Sequence, residues 1–308
     1  MTSINTNRAA MTALASLNMT QKRLDSTQEH ISTGLRVNSA TDNAAYWSIA
    51  TTMKSDNSAL STIKDALGLA SATIDVTYTA LNSEVTTVQK IKDKLVAAAA
   101  PGVDKAKIQT EIAALQGQLK STADSANFSG ENWLSVDSSA PGYNASKSIL
   151  SSFSRSTAGV SIQTISFDGD TTKLFDANDK SGILDKEDTT TNGGVAYSTA
   201  TLDISAMSTS PNDTADLKQM ISYVDASLTK LTNAAANVGA LKTRVDAQSN
   251  FVTTLMDAVT RGVGSLVDAD MSEESTKLQA LQVQQQLGTQ ALSIANQSSQ
   301  AILKLFQG

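Results

Sequence analysis

The chain contains no cysteine, which excludes disulfides and thiolate chemistry. It has three prolines in 308 residues, and aromatic residues make up only 4%. Compact cores lean on large side chains. A chain poor in them and rich in Ala, Ser and Thr instead suits long helices meeting along narrow seams. Histidine occurs once, at His30, so neither a helical His-Glu-x-x-His site nor a three-histidine zinc site can be built. His30 reads as a polar-face residue beside Glu29, because no strand–nucleophile–helix motif accompanies it. Basic excess is also missing. A net charge of −6 argues against an electrostatic nucleic-acid binder. Most of the acidity is central, with ten acidic against five basic residues from Ser135 to Ala215. The opening MTSINTNRAAMTAL lacks the continuous apolar core of a cleaved signal. Taken alone this points to the cytosol, or to an export route that leaves no cleaved signal.

What is present is helical periodicity. The stretch Leu278 to Leu303 carries no charged residue yet is full of Gln, Asn and Ser, with Gly288 its one strong break in propensity. At about 100° per residue, Leu278, Leu281, Leu292, Ala295, Ile302 and Phe306 share one side of a helix. Val283, Leu287, Ile294 and Leu305 fall on nearly the opposite side. Two opposed apolar stripes need covering from two directions, so this segment is expected to pack among many neighbours. The polar amides argue against a membrane span.

Residues 3–35 read as a helix with a seam of Leu14, Leu17, Gln21, Leu24, Gln28, Ile31 and Leu35 in alternating steps of three and four. Its length, about 50 Å, nearly matches a C-terminal helix over 272–306, so the two are expected to pair. Gly34 and Asn38 weaken the helix, and Ser39 with Asp42 signals a new N-terminus. A long helix over 42–98 follows, its seam running Ile49, Met53, Asp56, Leu60, Ile63, Leu67, Ala70, Ile74, Thr77, Leu81, Glu84, Val88, Ile91 and Leu95. Pro101-Gly102 turns the chain into a return helix that stops near Phe128-Ser129-Gly130. From Ser135 to about Asp213 the helical period disappears, and runs such as GVSIQTISF predict a small β-rich, solvent-facing unit. A seam from Leu217 to Val259 then restores helix as far as Arg261. Gly262 and Gly264 are expected to interrupt it and, with Gly34, to form hinges. They are not a phosphate loop, since no strand precedes them. Asp270 and Glu273 form a fresh N-cap pair.

The reading is a mainly α fold: coiled-coil-like helices in two stacked tiers with a small β-rich excursion. The divisions are 1–41 and 263–308 for an inner tier, 42–134 and 213–262 for an outer tier, and 135–212 for the excursion. No catalytic, cofactor or metal site is found, so the chain is not read as an enzyme.

The two ends carry motifs with a family resemblance. They are INTNRAAMTAL (Ile4 to Leu14), HISTGLRVNSATDNAA (His30 to Ala45), IQTEIAALQGQL, FSGENWL, VGALKTRVD (Val238 to Asp246), VDADMSEES (Val267 to Ser275) and QALSIANQSSQAILKLF (Gln290 to Phe306). In order and spacing the chain resembles bacterial flagellin, the subunit of the flagellar filament, of a short type with a reduced outer region. The resemblance implies self-polymerisation into the extracellular filament for swimming, a filament possible with other flagellins in it, and unfolded export through the flagellar type III apparatus. The implied partners are copies of itself, an export chaperone, the filament cap and the hook-junction proteins, with no nucleic acid and no membrane insertion. Polymer and helix packing would fall to Leu14, Leu17, Leu24, Ile31, Leu278, Leu281, Val283, Leu287, Leu292, Ile294, Ile302, Leu305 and Phe306. Two stretches that immune receptors read in the family diverge here: Thr41, Asn43, Tyr46 and Trp47 in the plant motif, Lys90 and Lys94 in the animal one. A hook–filament junction protein is the alternative. A chemoreceptor-like signalling hairpin would need a membrane anchor and no β-rich middle.

Overall fold

The computed structural model describes residues 6–156 and 159–307, with side chains as far as 297. The expected helix start at residue 3 lies outside the described residues, as do the side chains of Ile302, Leu305 and Phe306. The fold is mainly helical: α1 (Arg8–Thr33), α2 (Ala44–Ala98), α3 (Lys105–Ser125), α4 (Pro211–Val267) and α5 (Met271–Gln307). Short strands lie between α3 and α4. They are β1 (Asn127–Phe128), β2 (Glu131–Asn132), β3 (Ser135–Val136), β4 (Ser146–Ser156), β5 (Gly159–Asp168), β6 (Phe175–Asp176), β7 (Asp188–Thr189) and β8 (Ala196–Tyr197). The chain separates into two compact units, residues 1–58 with 256–308, and residues 59–255. The sequence reading placed these divisions at 41/42 and 262/263.

In the unit 59–255, α2 runs antiparallel to both α3 and α4. The ion pairs Lys94–Glu111, Lys92–Asp225 (2.6 Å) and Lys242–Asp75 set the register. Leu60, Ile63, Leu67, Ile74, Leu81, Val88, Ile91 and Leu95 of α2 are buried, against Ile112 and Leu119 of α3 and Val224, Leu231, Val238 and Val245 of α4. Full burial of each such side chain is worth about 1.5–3 kcal/mol, whereas the half-exposed ion pairs add little and mainly fix alignment. Asp104 caps α3 by accepting from the Ala106 and Lys107 amides.

The central region differs from its expected description in two respects. Among the described residues its only extended sheet is the β4–β5 hairpin, with a bulge between Leu150 and Ser152. The other strand pairs are two residues long, and most of the segment is loop. It is also not solvent-facing throughout. Leu174, Leu184, Tyr197, Leu202 and Ile204 are fully buried. Polar side chains of the helices hold this loop by its backbone, a tie that no local period reveals. Gln109 and Gln116 donate to the Leu202 carbonyl at 3.1 and 3.0 Å, Gln248 donates to the Ser151 carbonyl at 2.9 Å, and buried Asp216 accepts from the Asn192 and Gly193 amides.

The terminal helix pair as a candidate assembly surface

The unit 1–58 with 256–308 is built on α1 and α5. Asn7 opens α1 in two ways: its Oδ1 accepts from the Ala10 amide at 3.0 Å, and its Nδ2 donates to the Ala295 carbonyl at 2.9 Å. Further along, Gln285 Nε2 donates to Gln21 Oε1 at 2.6 Å, and His30 Nδ1 lies 3.7 Å from a Glu274 carboxylate oxygen. As one number rises the other falls, so the helices are antiparallel and pair along their length. His30 is therefore a half-buried member of this pair and not the polar-face residue expected beside Glu29. Gly288 has a packing role: a Cβ there would stand 3.2 Å from Leu17 Cδ1, so the missing side chain makes room for Leu17.

The seam of α1 differs from the expected one. Leu17, Leu24 and Ile31 lie on it, but the row between them is Ala13, Thr20 and Thr27. Leu14, Gln21 and Gln28 are exposed. Small residues win because they let the helices approach closely. Burial of Thr20 is tolerable because its hydroxyl donates to the Ser16 carbonyl at 3.0 Å within the helix. Gln21 stays at the rim, where it donates to Asp25.

On α5, Leu278, Leu281, Leu292 and Ala295 are half-buried, while Val283, Leu287 and Ile294 are 54%, 59% and 66% exposed. On α1, Met11, Leu14 and Met19 are exposed as well. The pair thus covers one stripe of each helix and leaves a second apolar stripe bare. Where α1 meets the start of α5, an open groove of about 510 Å³ is lined by Lys22, Arg23, His30, Glu274, Lys277 and Leu281. A bare apolar stripe of this extent fits a surface that another protein covers.

Between the helices, the chain crossings are tied through the main chain. Gly34 closes α1 at φ +72°, a left-handed conformation that glycine adopts without strain. The Arg36 and Val37 amides donate to the Val267 carbonyl at 2.7 and 3.2 Å, and the Ala269 amide donates to the Gly34 carbonyl at 2.9 Å. Leu35 and Asp268 form a bridge, and Val37, Ala50, Val263 and Val267 close a small core beneath it. The expected break at Gly262 and Gly264 is not there. Helix α4 continues through both glycines to Val267, and the break falls at 268–270. The glycines mark close approaches instead: a Cβ on Gly262 would lie 3.2 Å from Met53 Cε, and one on Gly264 would lie 2.7 Å from Asp268 Oδ2. The cap of α2 is also shifted. Asn43 Oδ1 accepts from the Ala45 and Tyr46 amides, whereas Asp42 closes the preceding turn by accepting from Asn38 and Ser39. Those donors hold the Asp42 carboxyl below the usual range. At the far end, Asp270 caps α5 through the Ser272 and Glu273 amides.

Of the divergent receptor-motif positions, Thr41, Tyr46, Trp47 and Lys90 are exposed. Asn43 is committed to its cap, and Lys94 pairs with Glu111. Among the described residues no helix is long and apolar enough to cross a membrane.

The models of the bacterial flagellin N-terminal and C-terminal helical regions match residues 4–138 and 221–306. The chain is 49% identical to Flagellin C of Rhizobium meliloti strain 1021 over 322 aligned positions, with all of both chains covered. The chain belongs to the bacterial flagellin family. It is 43% identical to a flagellin of Brucella melitensis biotype 1, again with both chains fully covered. Alignment with Flagellin A of Rhizobium meliloti takes 397 positions at 41% identity, so that relative is longer. A Vibrio parahaemolyticus protein described as flagellar hook-associated shares the fold, with a TM-score of 0.53 and 15% identity over 74% of this chain and 100% of its own. This flagellin is a structural subunit of the extracellular flagellar filament, and the bare stripes of its terminal helices belong to a protein that assembles with its own copies.

Proposed function

We propose that the subunits join through the uncovered stripes of α1 and α5, with Leu14, Val283, Leu287 and Ile294 as anchors and Leu305, on the same side of the helix, extending the row. The observation that carries this reading is the side-by-side exposure of Val283, Leu287 and Ile294 on a helix whose opposite stripe is already covered. In this reading 1–41 and 263–308 serve the inner tier, 42–134 and 213–262 the outer one, and 135–212 the outward side. Subunits leave the cell unfolded through the flagellar type III apparatus, with an export chaperone, and meet the cap and the hook-junction proteins outside. A filament shared with other flagellins is compatible with this interface. The chain works as a structural element with no catalytic role. Seeded polymerisation followed by negative-stain microscopy tests the interface: single polar substitutions at the anchors should stop growth while leaving the monomer folded.

A second proposal concerns immune recognition. Lys94 replaces the apolar residue of the family motif and is paired with Glu111, and Lys90 supplies a point charge instead of a planar guanidinium. The chain should therefore activate the animal receptor poorly, and the Lys90→Arg, Lys94→Leu variant should activate it better. Equal potency of native chain and variant would refute this.

A further inference from the structure

Glu84 lies midway along α2, in the row that buries Leu81, Val88 and Ile91. It is 1% exposed, and neither carboxylate oxygen has a hydrogen-bond partner among the described residues. In this row a glutamate replaces an apolar side chain without any of the contacts that normally make a buried carboxylate tolerable.

The neighbouring charges are committed elsewhere. On α2 itself, Asp75 pairs with Lys242, and Lys90 is exposed. On α3, the antiparallel register places Lys120 and Asp124 nearest. These two bind each other at 2.7 Å, and Ser135 Oγ donates to Asp124 at 2.6 Å. On α4, the same reasoning brings Lys230 nearest, and it is exposed. Among the described residues no cation is paired with Glu84 to offset its charge, and burial is what acts on it.

We propose that Glu84 is a proton-operated latch of the helical unit 59–255: as a neutral acid it seats in the seam, and on releasing its proton to solvent it becomes a carboxylate that loosens the seam. Burial pushes its pKa from the ordinary 4.5 up to about 8. Between those values the folded unit holds one proton that the unfolded chain has already lost. Stability from this group is thus complete below about pH 4.5, declines as pH rises toward 8, and is gone above it. The sign is opposite to that of ordinary acid denaturation. A filament in mildly acidic water would carry a firmer helical unit than one in alkaline water. The latch itself does not depend on how the filament packs.

The test uses the full-length monomer. Unfolding in urea is followed by the fluorescence of Trp133, which is buried in the unit 59–255, in a Trp47→Phe background. The unfolding constant of the chain with Glu84 is compared with that of Glu84→Leu. Their ratio should rise roughly 10-fold per pH unit between about pH 5 and about pH 8, then level off. A ratio constant within about twofold across that range would overturn the proposal. Glu84→Gln, which keeps the shape and cannot ionise, gives the same comparison if the leucine variant does not fold. Independently of any variant, carbon-detected titration of the Glu84 carboxyl in the native chain should show a midpoint far above that of an ordinary glutamate. An ordinary midpoint overturns the latch.

Discussion

Replacing Leu287 by aspartate separates the stability of the subunit from its assembly. Leu287 is 59% exposed, on the side of α5 away from the row of Leu278, Leu281 and Leu292. In the monomer the substitution touches little. The cost is the weaker helix propensity of aspartate, about 0.5 kcal/mol, within the range of an ordinary surface change. In the filament the exposed part of the leucine would be buried, worth about 1–2 kcal/mol. A carboxylate in the same apolar contact loses that gain and adds a desolvation cost of several kcal/mol unless it reaches water. A total of at least about 3 kcal/mol per added subunit raises the concentration needed for growth roughly 100-fold. Sedimentation of seeded polymer gives that concentration, and circular dichroism of the monomer gives the fold. Growth within about threefold of the native chain would refute the placement of Leu287 in the subunit contact. Loss of monomer helicity would show that the residue acts inside the α1–α5 pair instead. Leu281→Asp, on the half-buried row, is expected to damage the monomer as well.

Gly288→Val should push Leu17 aside and weaken the terminal pair by about 1–3 kcal/mol, with Leu17→Ala restoring part of the loss in a double-mutant cycle of thermal melts. Asp176→Asn should destabilise the unit 59–255 by about 2–3 kcal/mol. Burial opposes ionisation of this carboxyl, but the Ser138 and Asn178 amides and Lys173 outweigh it and hold its pKa well below the ordinary 3.8. Its stabilisation is present above that value and is lost as pH falls further, so the asparagine variant should show a shallower acid transition. Trp47 is 40% exposed beside Tyr46 and Ile49, whereas Trp133 is 6% exposed and stacked on Phe167. A Trp133→Phe chain should therefore shift its emission to the blue on polymerising, and an unchanged spectrum would leave Trp47 outside every subunit contact. Gly262→Ala should disturb the packing of Met53 while keeping α4 helical, which amide exchange across residues 256–267 can check.

Where one apolar row per helix decided the packing, the sequence was easily read. The seam of α2 from Leu60 to Leu95 follows its steps of three and four almost residue by residue. The reading failed where size, not polarity, governed the choice. Leu14 looked like a better seam residue than Thr20, but an exposed leucine suits a chain that has a second surface to cover, and threonine can satisfy its own hydroxyl in the preceding turn. Gly262 and Gly264 look like breakers because glycine is a poor helix former. Only the three-dimensional contact with Met53 and Asp268 explains their presence inside a helix. In the central region, the ties run from Gln109, Gln116, Asp216 and Gln248 to backbone distant in sequence, and such pairings carry no periodic signature. Glu84 stood in the expected row from the outset, but its lack of a partner is a property of the packed unit alone.

The crossing between α1 and α5 has an evolutionary consequence. Its main-chain ties run from the Arg36, Val37 and Ala269 amides to the Val267 and Gly34 carbonyls, atoms that every residue but proline supplies, and the Arg36 guanidinium adds one side-chain bond to the Leu266 carbonyl at 3.1 Å. The side chain at 269 can drift without untying the joint, and a change at 36 gives up only the bond to Leu266. The replacements barred on hydrogen-bonding grounds are prolines, which remove the donating hydrogen, and at position 34 a residue with a side chain must bear the left-handed turn. A lineage can therefore rewrite the outward chemistry of this stretch while the mechanical connection between its helices stays the same.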